Sequence, residues 1–427
     1  MPRVIVGCTE VEANRVRPLA LAAYDEARAR SWPFLSDVLE RVLRPAAEND
    51  RACVTAVLHA LAKYDRLLAF ATGSENGGVR LDALLALARG DVAHLEARLE
   101  RIEHPSERRG VAFSFPDWIV DLVRDELGEG SIERALGRMN ELAPRVVRAN
   151  ALKSTREACE RALIEEGIEA RPCGHGPHAI VLGGQRSPFR STAFARGDFE
   201  LQDEASQLVA DVVAPPPRSL VVDACAGAGG KTLALAAMLE GRGHVVAIDD
   251  SEDKLAELRR RARRAGASNV RAIAVDLLAP GDAMRDLAGR AARVLLDAPC
   301  SGLGAIRRNP EARWRLRRAD LTRLGDVQKA LTRAAATLVA PHGRLVYATC
   351  SFLPSEGEGV VGPFLADHTN FSPVTVREIL GRTRSADLAT GDGRYFLTWR
   401  FDADRDGGSA GMDGFFAAVF RRKAPQA

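Results

Sequence analysis

Apolar residues in the N-terminal third of the chain recur at intervals of three and four positions. Val54, Val57 and Leu61 form one such run, and this spacing places apolar side chains on one face of a helix. The pattern extends from about residue 16 to residue 127. It predicts an all-α domain, to which we assign residues 1–135.

The pattern changes between Pro144 and Ala210 to short β-like segments around one amphipathic helix. This mixture predicts a small α+β unit over residues 136–212, ended by the stiff connector Pro215–Pro217. The predicted strands are 146–149, 179–182 and 198–202, and the predicted helix is 155–166.

After the prolines, apolar strands alternate with amphipathic helices, which predicts a doubly wound, mostly parallel sheet over residues 213–427. A final pair of segments, 395–400 and 415–420, separated by a glycine-rich turn, predicts an antiparallel hairpin that closes the sheet edge. The predicted strands are 219–223, 244–249, 270–275, 293–297 and 344–348, and the predicted helices are 232–239, 252–265, 319–340 and 356–368. The fold class is thus multi-domain, with a C-terminal α/β Rossmann-like domain.

Composition restricts the function classes. The net charge of +3 is too small for a protein coated by nucleic acid, so any polyanion site must be a local patch. Arginine greatly outnumbers lysine, which suits phosphate contacts but also follows from a GC-rich genome. The seven cysteines form no C-x-x-C pair, so we expect no metal and a reducing compartment. No apolar run is long enough to span a membrane, so we expect a soluble, cytoplasmic protein.

The strand at 219–223 leads into a glycine-rich turn and then a helix. Such a turn lets the backbone approach a ligand, and the helix N-terminus offers N–H groups to an anionic moiety. A P-loop is disfavoured because that motif needs glycine at the position of Cys225. The loop residues are Cys225, Ala226, Gly227, Ala228, Gly229, Gly230 and Lys231.

Acidic residues follow the next two predicted strands. Asp249 lies about 20 residues after the glycine turn, where a carboxylate accepts hydrogen bonds from ribose hydroxyls. NAD binding would give the same spacing. Asp276 is placed to contact an adenine amino group, and the arginines of 259–264 are expected on the solvated face of their helix.

Two cysteines follow strands that should be neighbours in the sheet. Cys300 lies in Asp297-Ala-Pro-Cys-Ser-Gly and Cys350 in Ala-Thr-Cys-Ser. Paired thiols suit methylation of an unactivated pyrimidine carbon. A thiolate adds to carbon 6 of cytosine, carbon 5 then attacks an electrophilic methyl group, and loss of the carbon 5 proton expels the thiolate. Asp297 is placed to hydrogen-bond the ring and favour addition.

These motifs resemble the Nop2/Sun family of RNA cytosine-5 methyltransferases, and most closely its RsmB-type (Sun/Fmu) members, which modify 16S ribosomal RNA. The similar elements cover roughly residues 148–427 and include D-A-C-A-G-A-G-G-K-T, V-V-A-I-D, D-A-P-C-S-G, A-T-C-S and D-G-F-F. The helical N-terminal segment is similar to the NusB-type RNA-binding domain of that branch.

The resemblance implies roles for individual residues. Cys350 would be the nucleophile, and Cys300 would assist release of the methylated RNA. The loop from Cys225 to Lys231 would bind S-adenosylmethionine, together with Asp249, Asp276 and Asp297. The implied partner is RNA, with small-subunit ribosomal RNA expected, and we expect a monomer.

The segment 306–314 is similar to the family's R-x-P-D-x-K-W element near the target RNA. Its residues Arg307, Arg308 and Arg313 would neutralise phosphates and Trp314 would stack on a base. The alternative is a surface helix start whose tryptophan packs against the protein.

The chain also departs from the family pattern. Gly227 and Ala228 replace Ala and Pro of the usual loop, so we expect somewhat weaker cofactor binding. Asn309 and Glu311 replace the more familiar His and Asp, which leaves the identity of the RNA site open.

Other functions remain open at this stage. One is a non-catalytic ribosome-assembly factor that binds RNA, although such a protein needs no paired thiols. Another is an amino-group methyltransferase, which would place an aromatic residue where this chain has Pro299-Cys300. A tRNA substrate is a third alternative.

Overall fold

The structure is a computed structural model that describes residues 3–44, 48–184, 186–401 and 411–424. The chain divides into two compact units. The helical unit comprises Met1–Ala143, Ala305–Asp320 and Phe401–Arg405, and the α/β unit comprises Pro144–Gly304, Leu321–Arg400 and Asp406–Ala427. Both units gather segments from separate parts of the chain, whereas the three domains expected from sequence are contiguous. That three-domain assignment stays a prediction.

The N-terminal part of the helical unit folds as helices around one apolar core. Val54, Val57 and Leu61 are fully buried on one face of helix α4, as their spacing predicted. The helices are α1 (Glu10–Arg15), α2 (Arg17–Ala29), α3 (Leu35–Val42), α4 (Glu48–Thr72), α5 (Gly77–Ala88), α6 (Ala93–Leu99), α7 (Pro105–Phe113), α8 (Asp117–Leu127) and α9 (Ile132–Asn140).

A small antiparallel sheet begins the α/β unit. Its strand order is β2-β3-β1-β4, and Val147, Ile180 and Phe199 pack with the helices in a core of their own. The elements are β1 (Arg145–Ala149), α10 (Arg156–Glu165), β2 (Ala170–Pro172), β3 (Ala179–Leu182), α11 (Thr192–Arg196) and β4 (Phe199–Leu201). The predicted α+β character of this region is confirmed.

The larger sheet has the strand order β10-β12-β9-β8-β5-β6-β7, and β11 pairs with β12. Strands β5 to β9 run parallel, and β12 is antiparallel to its partners β9, β10 and β11. The strands are β5 (Leu220–Asp223), β6 (His244–Asp249), β7 (Val270–Ala274), β8 (Ala291–Asp297), β9 (Val339–Thr349), β10 (Phe371–Val374), β11 (Phe396–Leu397) and β12 (Phe416–Arg422).

Helices follow most of these strands, and apolar clusters cover both faces of the sheet. Every helix in the described ranges is too short or too polar to span a bilayer. The helices are α12 (Glu204–Val213), α13 (Gly230–Met238), α14 (Glu252–Ala265), α15 (Ala312–Arg315), α16 (Arg318–Ala336), α17 (Glu358–Asp367) and α18 (Val376–Ser385), which is interrupted at Gly381. Of these, α15 belongs to the helical unit.

The predicted Rossmann-like order of strands and helices is confirmed, and β11 pairs antiparallel with β12 as predicted, but the predicted position of this hairpin was wrong. The segment 415–420 was expected to close the sheet edge, whereas its strand β12 lies between β9 and β10, so β10 is the edge strand. Strand β10 is only four residues long and contains Pro373, which hid it in the sequence. The glycine-rich turn expected before β12 lies mostly in 402–410, outside the described residues.

The arginines of α14 were expected to be solvated, and two of them are not. Leu258 and its apolar neighbours are buried as predicted. The side chains of Arg261 and Arg264, however, both form ion pairs with Glu200, a residue of β4 that is 2% exposed. Burial of that carboxylate requires cationic partners, and α14 supplies them.

Candidate active site

Strands β5, β8 and β9 are neighbours, and their carboxyl ends carry the sequence motifs. Asp297 at the end of β8 pairs in register with Ala348 of β9, and the backbone N–H of Ala298 donates to Ala348 O at 2.8 Å. The predicted adjacency of the two cysteine-bearing strands is therefore confirmed. In open parallel sheets ligands bind beyond the strand carboxyl ends, where the chain order reverses, as it does beside β5.

The glycine loop after β5 needs glycine at two positions. Gly229 has φ of +86°, and a Cβ there would lie 2.6 Å from Leu258 Cγ. Gly227 has φ of +53° and no atom within 4 Å of a Cβ built on it, so its open side faces free space. The N–H of Gly227 donates to Asp249 Oδ2 at 2.8 Å. Asp249 thus fixes the loop and lies beside its open face.

The remaining loop contacts hold its backbone in place. Arg261 Nη1 donates to Ala228 O at 2.7 Å, which ties the loop to α14. Helix α13 begins after Gly229, which has no side chain to cap the helix N-terminus. The first N–H groups of α13 can therefore bind the anionic end of a ligand.

Buried charged groups lie under the loop. Asp223 is 1% exposed and accepts a hydrogen bond from Thr232 Oγ1 at 2.7 Å on Oδ2. Its Oδ1 has no partner within the described residues. Burial raises the pKa of Asp223 to about 7. Its carboxyl group is consequently a site where a ligand could supply the missing hydrogen bond.

Lys231 and Asp297 form a buried ion pair, with Lys231 Nζ 2.5 Å from Asp297 Oδ2. The ammonium also lies 4.8 Å from the ring centre of Phe415. Burial lowers the pKa of Lys231, but the charge and hydrogen bond of Asp297 and the charge of Cys350 outweigh it, and the pKa lies above its ordinary value. Lys231 therefore stays protonated.

The two thiols of the site face each other, with Cys300 Sγ and Cys350 Sγ 3.3 Å apart. Both cysteines are half-buried, and neither forms a disulfide. The hydrogen bond to Cys350, burial, and the charges of Cys350 and Glu356 raise the pKa of Cys300 well above its ordinary value. Cys300 is consequently a neutral thiol when Cys350 is the thiolate.

Glu356 was missed in the sequence and lies beneath the Cys300 loop. Its side chain is 2% exposed and accepts hydrogen bonds from the N–H of Ser301 at 2.8 Å and from Ser301 Oγ at 2.5 Å. The sequence signal was an acidic residue six positions after Cys350, in the turn that leads into α17. Such acids usually cap helices at the surface, so the pattern gave no reason to expect a buried one.

Asp276 and Cys225 were also predicted to bind the cofactor. Asp276 is exposed, and its carboxylate accepts a hydrogen bond from the N–H of Leu278 in its own turn at 2.8 Å. Cys225 is half-buried, and burial raises the pKa of its thiol. Their contact with a cofactor stays a prediction.

The segment expected to contact RNA belongs to the helical unit. Arg307 and Arg313 were expected to bind phosphates, but they are 3% and 0% exposed. Arg307 Nη1 lies 3.7 Å from Glu141 Oε2. Arg308 is half-buried. The arginines of this segment therefore do not form the exposed basic surface that the family element suggested.

Arg313 and Trp314 are held by the core of the helical unit. Arg313 Nη1 donates to Lys63 O, Ser114 O and Asn140 Oδ1 at 3.2, 3.0 and 2.9 Å, and burial lowers the pKa of its guanidinium to about 9. Trp314 Nε1 donates to Ala62 O at 2.7 Å. The base stacking expected of Trp314 stays a prediction, and the hydrogen bond of Nε1 agrees with the alternative of a tryptophan that packs against the protein.

Comparison with known families covers both parts of the α/β unit. The model of the family described as 16S rRNA methyltransferase RsmB/F matches residues 210–421. The model described as the RsmF/B-like ferredoxin-like domain matches residues 115–187. The second match begins within the helical unit, at Phe115.

Individual proteins agree with these models. The chain is 34% identical over 263 residues to a probable ribosomal RNA small subunit methyltransferase B of Synechocystis, a match that covers 61% of this chain and 58% of that protein. Its counterpart in Bacillus subtilis is 31% identical over 326 residues, which are 76% of this chain and 70% of the relative.

The crystal structure of the protein PH0851 shows the same fold, with a TM-score of 0.78 and 22% identity over 97% of this chain and 99% of that one. The RsmB/F family model spans all the motifs at the strand ends. The prediction of an RNA methyltransferase is confirmed at the level of the family, since the chain belongs to the RsmB/F family of 16S rRNA methyltransferases.

Proposed function

We propose that this protein methylates carbon 5 of a cytosine in 16S ribosomal RNA, with S-adenosylmethionine as methyl donor and Cys350 as covalent nucleophile. The observation that carries the proposal is the pair of thiols, 3.3 Å apart, at the ends of neighbouring strands beside the ion pair of Lys231 and Asp297. Binding alone would not need two thiols next to a buried ion pair.

The residues present fit S-adenosylmethionine. The open side of Gly227 leaves room for a ligand against the loop, and the uncapped N-terminus of α13 suits its carboxylate. Asp249 lies where ribose hydroxyls can donate to it, and Asp223 Oδ1 needs a donor. When bound, S-adenosylmethionine supplies an electrophilic methyl group.

The chain's own residues would perform the covalent chemistry. The Cys350 thiolate forms a bond from its sulfur to carbon 6, and the electron pair of the carbon 5–carbon 6 double bond becomes available at carbon 5. Carbon 5 takes the methyl group, which leaves S-adenosylhomocysteine, and later loses its proton to a water molecule. The electrons of that carbon–hydrogen bond restore the double bond, and the sulfur–carbon 6 bond breaks to release the Cys350 thiolate.

The charges of the site support this division of roles. Lys231 carries its proton, whereas the hydrogen bond to Cys350, burial and nearby negative charge keep Cys300 neutral. A neutral Cys300 can donate its S–H to the Cys350 sulfur as that thiolate is expelled, which assists release. Asp297 would hydrogen-bond the cytosine ring and favour addition.

The relatives' names support a ribosomal substrate. The Synechocystis and Bacillus relatives are named as ribosomal RNA small subunit methyltransferases, and we extend that substrate to this chain. We further infer that the N-terminal part of the helical unit is a NusB-like RNA-binding domain, because helices α1 to α9 precede the methyltransferase motifs. Such a protein would act in the cytoplasm, where ribosomes assemble.

The test uses the Cys300→Ala variant with S-adenosylmethionine and unmethylated 16S RNA. We expect a protein–RNA adduct that survives denaturation, because release is impaired after Cys350 has attacked. Replacing Cys350 as well should abolish the adduct. Bisulfite sequencing of RNA treated with the unaltered protein should locate one new 5-methylcytosine. Retained activity in a Cys350→Ala single variant, without any adduct from Cys300→Ala, would overturn the proposal.

A further inference from the structure

The buried carboxylate of Glu356 takes no part in the chemistry proposed above. It is 2% exposed, and burying a carboxylate is unfavourable unless hydrogen-bond donors and nearby charges compensate. The hydrogen bonds of Glu356 indicate what the buried carboxylate does beneath this loop.

The first contacts of Glu356 hold the residue that follows Cys300. The N–H of Ser301 donates to Oε1 at 2.8 Å, and Ser301 Oγ donates to Oε2 at 2.5 Å. One carboxylate therefore binds both the backbone and the side chain of a single residue. This bidentate arrangement fixes the orientation of the loop as well as its distance.

Gln328 of α16 holds the residue that precedes Cys300. Its Nε2 donates to Pro299 O at 2.9 Å and to Glu356 Oε1 at 3.0 Å. Both partners are acceptors, so only the amide nitrogen can occupy this position. Cys300 is thus flanked by two residues that are bound to one connected pair of side chains, which we call the Glu356–Gln328 clamp.

The clamp is anchored to the strand that carries Cys350. Tyr347 of β9, which is fully buried, donates its hydroxyl to Glu356 O at 2.7 Å. On the other side of the site, Gly304 N donates to Cys350 O at 3.1 Å. The two cysteine loops are therefore tied together at both ends, and the clamp sets the position of one thiol relative to the other.

We propose that Glu356 is a positioning residue which, with Gln328, holds Cys300 against Cys350 so that Cys300 can assist release of the methylated RNA. This inference rests on the role proposed above for Cys300. The negative charge of Glu356 has a second effect, because it is among the causes that raise the pKa of the Cys300 thiol. The clamp thereby keeps Cys300 both in place and protonated.

The first experiment compares Glu356→Gln with Cys300→Ala in the adduct assay. We expect Glu356→Gln to lower turnover by about tenfold or more, because a charge-assisted hydrogen bond is lost and the thiol is displaced. The stalled enzyme should accumulate the denaturation-resistant adduct, and that adduct should disappear when Cys350 is replaced. A purely structural defect would lower adduct and turnover together. Glu358→Gln, an exposed glutamate two residues away, is the matched control and should behave as the unaltered protein.

The second experiment needs no RNA. In a Cys350→Ala background, the rate of iodoacetamide labelling of Cys300 is followed by mass spectrometry of its peptide. We expect Glu356→Gln to increase this rate by about threefold or more, because removing the charge favours the reactive thiolate. Gln328→Met should increase it less, since the carboxylate remains.

The outcomes separate the two proposals. No adduct from Cys300→Ala would overturn the proposed function, and with it this inference. An adduct from Cys300→Ala but none from a folded Glu356→Gln variant would overturn the inference alone. Unchanged labelling of Cys300 in Glu356→Gln would also overturn it, whatever the adduct assay shows.

Discussion

Lys231 and Lys63 are both buried, and their surroundings are opposite. Lys231, in the α/β unit, lies 2.5 Å from the carboxylate of Asp297 and keeps its proton. Lys63, in the helical unit, donates to the carbonyl oxygens of Asn140 and Glu141 at 2.8 and 3.3 Å. Burial and the charges of Arg313 and Arg307 lower the pKa of Lys63 to about 7, and the charge of Glu141 raises it by less than these causes lower it.

The difference shows what a buried cation does in each unit. Where a carboxylate and a thiol face the ammonium, its charge is maintained and can act on reacting groups. Where carbonyl dipoles and other cations face it, its charge is costly and its contacts serve packing. The same residue type at the same depth thus indicates chemistry in one unit and architecture in the other.

Lys231→Met should give the largest effect. Removing the ammonium leaves Asp297 without its counter-ion and takes the favourable charge from Cys350, so we expect activity to fall by about 100-fold or more. Methyl transfer to 16S RNA measures the loss. In the double variant Lys231→Met/Asp297→Asn, the melting temperature should recover while activity does not. Full activity in Lys231→Met would contradict the comparison.

Arg313→Met should destabilise the helical unit by about 3 kcal/mol, because three buried acceptors lose their donor. Tryptophan fluorescence suits the measurement, since Trp32, Trp118 and Trp314 all belong to this unit. Arg317→Met, at an exposed position of the same segment, is the control and should melt normally. A variant that melts normally but loses RNA affinity would restore the RNA-contact prediction.

Lys63→Met should change the pH dependence of stability. The folded pKa of Lys63 is about 7 and its ordinary value is 10.5, so between these values the unfolded chain binds a proton that the folded protein has released. Stability contributed by this group therefore rises with pH across that window, by at most about 1.4 kcal/mol per pH unit. Between pH 7 and pH 9, the melting temperature of the variant should rise less steeply with pH than that of the unaltered protein. If the melting temperatures of the two proteins change equally with pH, the lysine stays charged in the folded protein.

Trp314→Phe should give the smallest effect. It removes the hydrogen bond from Nε1 to Ala62 O and retains most of the apolar packing, so we expect a loss of about 1 kcal/mol. RNA affinity, measured by filter binding at fixed salt, should not change. A weaker affinity at unchanged stability would mean that the ring contacts RNA.

Residues at the strand ends were predictable because local rules determine their positions. A buried strand, a glycine turn and a helix fix where Asp249, Asp297, Cys300 and Cys350 lie, and parallel pairing brings those ends together. The matching strand bounds at His244–Asp249 show how well these rules work where apolar runs are continuous.

Residues whose partners are distant in sequence were not predictable in this way. Arg313 contacts Lys63 across 250 positions, and Arg264 pairs with Glu200 across 64. An arginine has the same local pattern whether it binds a phosphate, a carboxylate or a row of carbonyls. Glu356 was missed for the same reason, because its donors come from Ser301 and Gln328, on two other segments.

The segment Ala305–Asp320 belongs to the helical unit but is encoded after β8 and the Cys300 loop. On the ribosome, α1 to α9 emerge long before this segment. Lys63 O, Ser114 O and Asn140 Oδ1 therefore lack the hydrogen bonds of Arg313 while the first half of the large sheet is translated. These contacts therefore form only after Arg313 has left the exit tunnel. An N-terminal fragment that ends before β1 would lack these interactions, however well its helices form.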